Sequence, residues 1–266
     1  MGSDAGALRG YCQELWQYRS VYSMLVRNEL KGKFKNTVLG YFWHLLNPLS
    51  QIVIYYLIFT VIFGRDIPNY WVYLSSGMFA FNFFLQCVST GSNCIVSNTR
   101  LVTKIAMPRE IIVFAKVTTN FINLLISYGL LLFLMVVLNI PLSLYLLTLC
   151  IIMVFLALFC CGLTLFFSSI VVYVRDVANA VSIVFGCMMF ALPIMYLAKQ
   201  RSTPMMELFW SVNPMYYYIE SIHNAIYFGA PTTLIFYVIS GISAVVSFIV
   251  GIIVFKKLEK GFAERL

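Results

Sequence analysis

Six apolar stretches dominate this sequence and restrict the chain to a helical membrane fold. A transmembrane helix needs about 20 mostly apolar residues to cross the hydrocarbon core. The stretches that meet this requirement are Leu45–Phe63, Trp71–Thr90, Ile111–Leu138, Leu142–Val174, Val177–Leu197 and Thr233–Phe255. Because they take up most of the 266 residues, we expect a single all-α transmembrane domain over residues 1–266. Six spans leave no room for a separate soluble domain.

The basic residues are concentrated in alternate connections between these stretches, which predicts the orientation of the chain. The formal net charge is +8, and all but three of the 18 lysines and arginines lie on one side of the predicted membrane. The three on the other side are Arg65, Lys199 and Arg201. Basic loops stay in the cytoplasm, so both termini are expected there. The basic excess then contacts lipid headgroups, and nucleic acid is not expected as a partner.

Residues 11–35 are expected to form an amphipathic helix on the membrane surface. Apolar residues recur there at steps of three and four, and basic residues occupy another side. The basic residues nearest the first span are Arg27, Lys31, Lys33 and Lys35. Two interpretations stay open, a simple membrane anchor or a helix that also contacts a partner protein. Asn47 is a competent N-cap and Pro48 fits a first helical turn, so we expect the first span to restart at Asn47.

Two predicted cytoplasmic connections are candidates for contact with a soluble protein. Residues 97–107 include a short amphipathic helix, and Tyr173–Asp176 is a tight turn. The candidate contact residues are Leu101, Lys104, Ile105, Met107, Arg175 and Asp176. Apolar side chains in an exposed loop are explained if a partner covers them. An ordinary connecting loop is the alternative.

Residues 204–226, in the third predicted external loop, are expected to form two short re-entrant helices. Pro204–Trp210 and Ile219–Ile226 have helical patterns, with Asn213–Tyr218 between them. Non-helical backbone at membrane depth is tolerated when it lines a cavity or packs on protein. The candidate gate residues are Tyr216, Tyr217, Glu220 and His223. The last two share a helix face, either as a proton-handling pair or as a solvated or helix-stabilising pair.

The sequence lacks the motifs of a catalytic or ATP-binding chain. No phosphate-binding loop, zinc-protease motif or serine-hydrolase motif occurs, and the seven cysteines match no zinc site. Lys116 is the one charged residue clearly inside a predicted span, which disfavours a proton- or sodium-driven carrier. We therefore expect no metal or cofactor in this chain, and an energy source in another subunit.

Aromatic residues make up 17% of the chain, and two groups are candidates for lining a substrate channel. One group lies on the first span and the other on the fifth: Tyr55, Tyr56, Phe59, Phe63, Phe185, Met189 and Tyr196. Aromatic faces stack on sugar rings while tyrosine hydroxyls form hydrogen bonds. Helix packing and interfacial aromatic belts are the alternative. On the sixth span, Ser243, Ser247 and Gly251 form a stripe of small residues that indicates close helix packing.

Three segments resemble the type-2 ABC exporter permeases of lipid-linked polysaccharides, the O-antigen and teichoic-acid group. They are Thr37–Leu49 with its Asn-Pro pair, Lys104–Arg109 and Asn213–Ala225, in the order and spacing of that family. The resemblance covers essentially the whole chain. It implies a permease in the bacterial cytoplasmic membrane that forms a homodimer, binds two copies of a separate ABC ATPase, and exports an undecaprenyl-diphosphate-linked glycan. ATP and Mg²⁺ would be bound by the ATPase.

The resemblance also implies roles for the segments described above. The helix over residues 11–35 would contact the ATPase, residues 97–107 would be the main coupling helix, and Tyr173–Asp176 a second contact. Residues 204–226 would form an external gate, and spans one and five would line the channel. The four basic residues of the first helix would attract the diphosphate. Two other functions stay open, an exporter of a small hydrophobic drug or lipid, and a membrane enzyme of lipid-linked sugar metabolism.

Overall fold

The computed structural model describes residues 16–32, 39–62, 64, 67–104, 107–198 and 203–266. Within these ranges the chain forms helices and turns and no strand, which confirms the all-α prediction. The helices are α1 (Arg19–Gly32), α2 (Trp43–Tyr55), α3 (Tyr70–Ser92), α4 (Cys94–Ser97), α5 (Thr99–Lys104), α6 (Glu110–Val137), α7 (Leu146–Val171), α8 (Asp176–Ala191), α9 (Pro204–Val212), α10 (Pro214–His223), α11 (Leu234–Glu259) and α12 (Phe262–Arg265). A 3₁₀ turn at Gly40–Phe42 precedes α2, and π-helical segments follow α2 (Tyr56–Ile62) and α10 (Asn224–Phe228).

Four of the described helices are long and apolar enough to cross a membrane, namely α3, α6, α7 and α11. They correspond to the second, third, fourth and sixth predicted spans, with ends shifted by a few residues. Helix α8, in place of the fifth span, is apolar but has only 16 residues. The first predicted span is divided between α2 and the π-helical segment that follows it.

Helix α2 begins earlier than the sequence indicated. It starts at Trp43, and Pro48 lies inside it rather than in its first turn. Asn47 is therefore not an N-cap, and its carbonyl instead accepts a hydrogen bond from the Ser50 hydroxyl at 2.8 Å. The predicted restart at Asn47 is wrong. A proline removes one backbone hydrogen bond, and this helix continues through it with the proline ring buried.

Helix α8 ends before the predicted end of the fifth span. Leu192 has an extended backbone, with φ −87° and ψ 147°, because the residue before a proline, here Pro193, disfavours the α conformation. The carbonyl of Ala191 accepts hydrogen bonds from Trp210 Nε1 at 2.8 Å and from the Tyr196 hydroxyl at 3.0 Å. Tyr196 thus lies beyond the helix that it was predicted to end, and it caps the final turn.

Helix α3 is the centre of the bundle. It packs against α2, α6, α7, α8 and α10, and 18 of its 23 residues are buried. Long-range hydrogen bonds fix it in place: the Tyr128 hydroxyl of α6 donates to the Ser76 carbonyl at 2.7 Å, and the Tyr73 hydroxyl donates to the Pro193 carbonyl at 2.8 Å. A helix with so few exposed residues is surrounded by protein rather than by lipid.

Helices α7 and α11 pack with their backbones in contact. A Cβ atom added to Gly162 would overlap the Ser247 carbonyl, and one added to Gly251 would overlap the Gly162 carbonyl. The Ser247 hydroxyl also donates to the Phe159 carbonyl at 2.9 Å. The small-residue stripe predicted on the sixth span is therefore confirmed as a packing surface.

Ion pairs and hydrogen bonds fasten the end of α11 to the start of α6. Lys256 Nζ lies 2.5 Å from Oε1 of Glu110, which is fully buried, and 3.2 Å from Oε2 of Glu259. Arg109 donates to the Glu259 carbonyl. The Tyr173 hydroxyl, in the turn before α8, donates to a carbonyl in the last turn of α11 at 2.8 Å. We call the end of the bundle that holds these groups the basic end.

Candidate functional site

A polar cavity lies between α1, α2, α3 and α6, in the half of the bundle nearest the basic end. It has two lobes. The deep lobe, of about 190 Å³, is enclosed by α2, α3 and α6. The entrance lobe, of about 680 Å³, lies between α1, α3, α5 and α6. Gln86, Asn120 and Asn123 line both lobes and join them. We call the whole the amide cavity.

The name follows from the side chains that line it, eight of which are carboxamides. They are Asn28, Asn47, Gln51, Asn82, Gln86, Asn98, Asn120 and Asn123. Within each of α2, α3 and α6 the two amides are three or four residues apart, so each helix turns one polar stripe toward the same space. Ser50 and Ser127 add hydroxyl groups to the deep lobe.

The amides differ in how far their hydrogen-bonding capacity is used. Asn82 Nδ2 donates to Gln51 Oε1 at 3.2 Å, which ties α3 to α2. Asn120 Nδ2 contacts the sulfur of Cys87 at 3.7 Å, a weak acceptor. Asn123 has both Oδ1 and Nδ2 buried, and neither atom has a hydrogen-bond partner among the described residues. The cavity therefore has donors and acceptors to spare.

The charges around the cavity neutralise each other. Lys116 Nζ lies 2.7 Å from Glu29 Oε2, a pair that joins α6 to α1 beside the entrance lobe. His44 also lines the deep lobe, and its Nε2 lies 3.3 Å from the Leu30 carbonyl oxygen. The charges of Lys116 and Glu29 thus cancel in the described lining, and the amides remain as its main hydrogen-bonding groups. This environment suits an uncharged ligand rich in hydroxyl groups.

The cavity reaches deep into the bundle. Asn123 lies thirteen residues after Glu110, the first residue of α6, which corresponds to about 20 Å at ~1.5 Å per residue. The entrance lobe is lined by Met24, Asn28 and Gly32 of α1, which are exposed. An open mouth beside α1 therefore leads to amides near the middle of α6.

This site was not predicted, because neutral amides provide neither the charges nor the aromatic faces that usually indicate a binding site within a span. The available signal was the recurrence of neutral amides at helical spacing inside apolar spans, as in Asn82 with Gln86 and Asn120 with Asn123. Lys116 was predicted as a charged residue inside a span, and the structure shows that it forms an ion pair with Glu29.

The aromatic residues predicted to line a channel lie in different surroundings in the described part of the chain. Tyr56, in the π-helical segment after α2, is 45% exposed, whereas Phe59 of the same segment packs edge-on against Tyr70 with ring centroids 5.8 Å apart. Phe185 packs into the interior against Phe84 and Phe167. The other predicted members are placed separately: Tyr55 and Met189 pack at the core's edge, Tyr196 caps α8, and Phe63 lies outside the described residues.

The predicted coupling and headgroup residues lie at the basic end. Leu101 and Lys104 belong to α5, and Arg175 and Asp176 are exposed where α8 begins. Met107 is 7% exposed because it packs into the core, so its predicted place on an exposed contact surface is wrong. The remaining predicted members divide into two sets: Arg27 and Lys31 are exposed on α1, and Lys33, Lys35 and Ile105 lie outside the described residues.

At the opposite end, α9 and α10 occupy the predicted re-entrant region, and each begins with a capped proline turn. Thr203 and Asn213 accept hydrogen bonds from Met206 N and Met215 N, at 3.4 and 3.0 Å. Helix α10 therefore starts at Pro214 rather than at Ile219 as predicted. Asn213 and Pro214 thus form the N-terminal cap of α10, the role that was predicted for Asn47 and Pro48 on the first span.

The predicted gate residues of α10 are packed rather than solvated. Tyr216 stacks on Trp210 with ring centroids 5.5 Å apart. His223 is fully buried against the ring of Tyr73 at 3.9 Å, and its Nδ1 lies 3.8 Å from Glu220 Oε2. His223 is not solvated, because α3 covers it, and its contact with Glu220 three residues earlier fits the helix-stabilising alternative. Tyr217 donates its hydroxyl to a carbonyl in α9 at 2.9 Å.

Comparison with known proteins adds a family and named relatives to this geometry. A family profile described as "ABC-2 type transporter" matches residues 20–227. An O-antigen export system permease protein RfbA of Myxococcus xanthus is 29% identical over 204 residues, covering 76% of this chain and 78% of the relative. Two proteins of the same name from Klebsiella pneumoniae are each 27% identical, over 244 and 246 residues, covering 91% of this chain and 93% of each relative.

Proposed function

Since the chain belongs to the ABC-2 type transporter family, we propose that it is the permease of an exporter for a lipid-linked O-antigen polysaccharide. The observation that carries the proposal is the length of the match to the Klebsiella pneumoniae relatives. It covers 91% of this chain and 93% of theirs, so the similarity extends over nearly the whole matched length of both proteins. The amide cavity supports it, since a hydroxyl-rich cargo needs polar but uncharged surroundings.

The proposed assembly is a homodimer with two copies of a separate ABC ATPase, which binds ATP and Mg²⁺. Each permease has six spans: α2 with its π-helical continuation, α3, α6, α7, α8 and α11. Both termini and the basic end face the cytoplasm, as the distribution of lysines and arginines favours. Helices α1 and α5 and the turn Tyr173–Asp176 contact the ATPase. Helices α9 and α10 form the external gate, and aromatic residues of α2 and α8 line the channel between the subunits.

The cargo in this proposal is an undecaprenyl-diphosphate-linked glycan that moves from the cytoplasmic to the external leaflet. The exposed basic residues Arg27 and Lys31 of α1 lie where the diphosphate would approach the membrane surface. Teichoic acid is a related cargo with the same lipid-linked chemistry. An exporter of small hydrophobic drugs would need a mainly apolar binding surface, whereas eight of the residues that line the described cavity are amides.

The test is deletion and complementation in the organism that carries the gene. Loss of the permease should remove O-antigen from the cell surface while lipid-linked glycan accumulates inside, and the wild-type gene should restore export. The permease purified with its ATPase should hydrolyse ATP faster when that lipid-linked glycan is added. Stimulation only by small amphiphiles would identify a drug or lipid exporter. Conversion of the glycan by the permease alone would identify an enzyme, and either result would overturn the proposal.

A further inference from the structure

We propose that the amide cavity binds the first uncharged sugars of the lipid-linked glycan before export. This assignment rests on the proposed function and adds to it the place within one subunit where the cargo is recognised. The entrance lobe, at about 680 Å³, lies in the size range of small-molecule sites, ~300–1,000 Å³. It opens beside the exposed face of α1, at the membrane surface that the cargo must leave.

The chemistry of the lining matches sugar hydroxyl groups. A hydroxyl both donates and accepts hydrogen bonds, and a carboxamide does the same through its nitrogen and oxygen. Asn123 is the strongest evidence, because both of its polar atoms are buried and lack partners among the described residues. A buried amide without partners is unfavourable, and it becomes favourable when a ligand supplies the missing hydrogen bonds.

Helix packing alone does not account for these amides. Amides between transmembrane helices normally bond to each other, as Asn82 and Gln51 do at 3.2 Å. Asn123 does not follow this pattern, although it lies among other amides on three helices. The group that completes its hydrogen bonds is therefore expected to come from outside the described chain.

The charge pattern favours a sugar over a phospholipid headgroup. A phosphate needs a cation that is free to bind it. Among the described residues that line the cavity, Lys116 is the only lysine or arginine, and its Nζ already lies 2.7 Å from Glu29 Oε2. The diphosphate of the cargo then stays at the mouth, close to the basic residues of α1, while the sugars enter among the amides.

The test compares Asn123→Leu with Asn179→Leu. Leucine resembles asparagine in size but makes no hydrogen bond, and Asn179 is an exposed amide of α8 outside both lobes. Each variant is purified with its ATPase from cells whose lipid-linked O-antigen is radiolabelled in its sugars. We expect Asn123→Leu to retain about tenfold less glycan than wild type, the effect of one or two lost hydrogen bonds. Asn179→Leu should retain the wild-type amount.

Thermal stability separates binding from folding. Because Asn123 has no partner to lose among the described residues, Asn123→Leu should melt at the wild-type temperature or above it. Gln86→Leu, which changes a different helix of the same cavity, serves as a second variant if the first does not accumulate. Equal glycan retention by wild type and both cavity variants would overturn the assignment.

A further set of purifications identifies the ligand. Complexes are also purified from cells that make the lipid diphosphate without sugars. If the wild-type complex retains as much of that lipid as of the lipid-linked glycan, the assignment to sugars is overturned. It is also overturned if the complex retains only phospholipid and Asn123→Leu lowers that amount. If wild-type complexes neither retain glycan nor restore export in the deletion strain, the proposed function itself fails. If wild type exports and Asn123→Leu exports equally well, only the assignment of the cavity fails.

Discussion

The contact between α7 and α11 and the amide cavity belong to one bundle but are built in opposite ways. At Gly162 and Gly251 the two backbones touch, with no room for a single added carbon atom. In the amide cavity a space lies between the helices, and the polar atoms of Asn123 have no partners among the described residues. The first arrangement fixes two helices as a unit. The second, under the proposed assignment, leaves three helices able to exchange contacts with a ligand.

The largest effect is expected where backbones touch. Gly162→Ala places its Cβ on the Ser247 carbonyl, so we expect it to lower the free energy of unfolding by ~3 kcal/mol through overpacking. The matched control is Gly129→Ala on α6, where an added Cβ meets nothing within 4 Å. That variant should be neutral or more stable by ~0.5–1 kcal/mol. Thermal melting of the purified permease in detergent measures both, and equal melting temperatures would contradict the packing argument.

The next effect is expected at the basic end, where Lys256→Ala leaves the buried Glu110 carboxylate without its nearest cation. Because Lys256 is itself 41% exposed, we expect a loss of ~2 kcal/mol, below the range for a fully buried pair. Lys257→Ala, an exposed neighbour, is the control. Adding Glu110→Gln to Lys256→Ala should recover part of the loss in a double-mutant cycle. No recovery would show that the charge of Glu110 is not the cause.

A smaller effect is expected at the mouth of the cavity, where Glu29 and Lys116 join α1 to α6. Their side chains are 34% and 21% exposed, so Glu29→Gln should cost ~0.5–1 kcal/mol, and less at high salt. Reversing both charges, with Glu29→Lys and Lys116→Glu, should restore most of the loss. A melting temperature unchanged by Glu29→Gln at low salt would show that the pair does not hold α1 in place.

The smallest effect is expected within the amide cavity, where substitutions of two asparagines are compared. Asn82→Leu removes the partner of Gln51 and should cost ~0.6 kcal/mol, the average for a hydrogen bond between transmembrane helices. Asn123→Leu should cost nothing, since no protein hydrogen bond is lost among the described residues. The two melting temperatures, measured under the same conditions, should therefore differ in this order. The reverse order would mean that Asn123 is satisfied within the folded protein.

Composition and periodicity predicted the parts of the fold that depend on apolar content alone. The four longest apolar helices and the stripe at Ser247 and Gly251 followed from residue type and spacing. The ends of helices at prolines did not. Helix α2 continues through Pro48, α8 ends before Pro193, and α10 begins at Pro214. The ring fits all three positions, and only the surrounding packing decides which is adopted.

The candidate site was harder to predict than the fold. Six amides of α2, α3 and α6 are far apart in sequence, and their stripes meet only because the helices assemble around one space. Each stripe alone resembles an ordinary polar contact between helices. Likewise, Glu29 and Lys116 are 87 residues apart, so neither indicated the other as its partner.

The central position of α3 also has a consequence for how the protein enters the membrane. Its mean hydropathy is 1.2, against 2.9 for α7, and it carries the amides Asn82 and Gln86 in its middle. Alone in lipid such a segment would leave polar groups unsatisfied. Apart from α2, whose Gln51 accepts a hydrogen bond from Asn82, the helices that it packs against are α6, α7, α8 and α10, all of which are synthesised later. Insertion of α3 therefore depends on helices that the ribosome has not yet made, and the nascent chain must be shielded from lipid until they arrive.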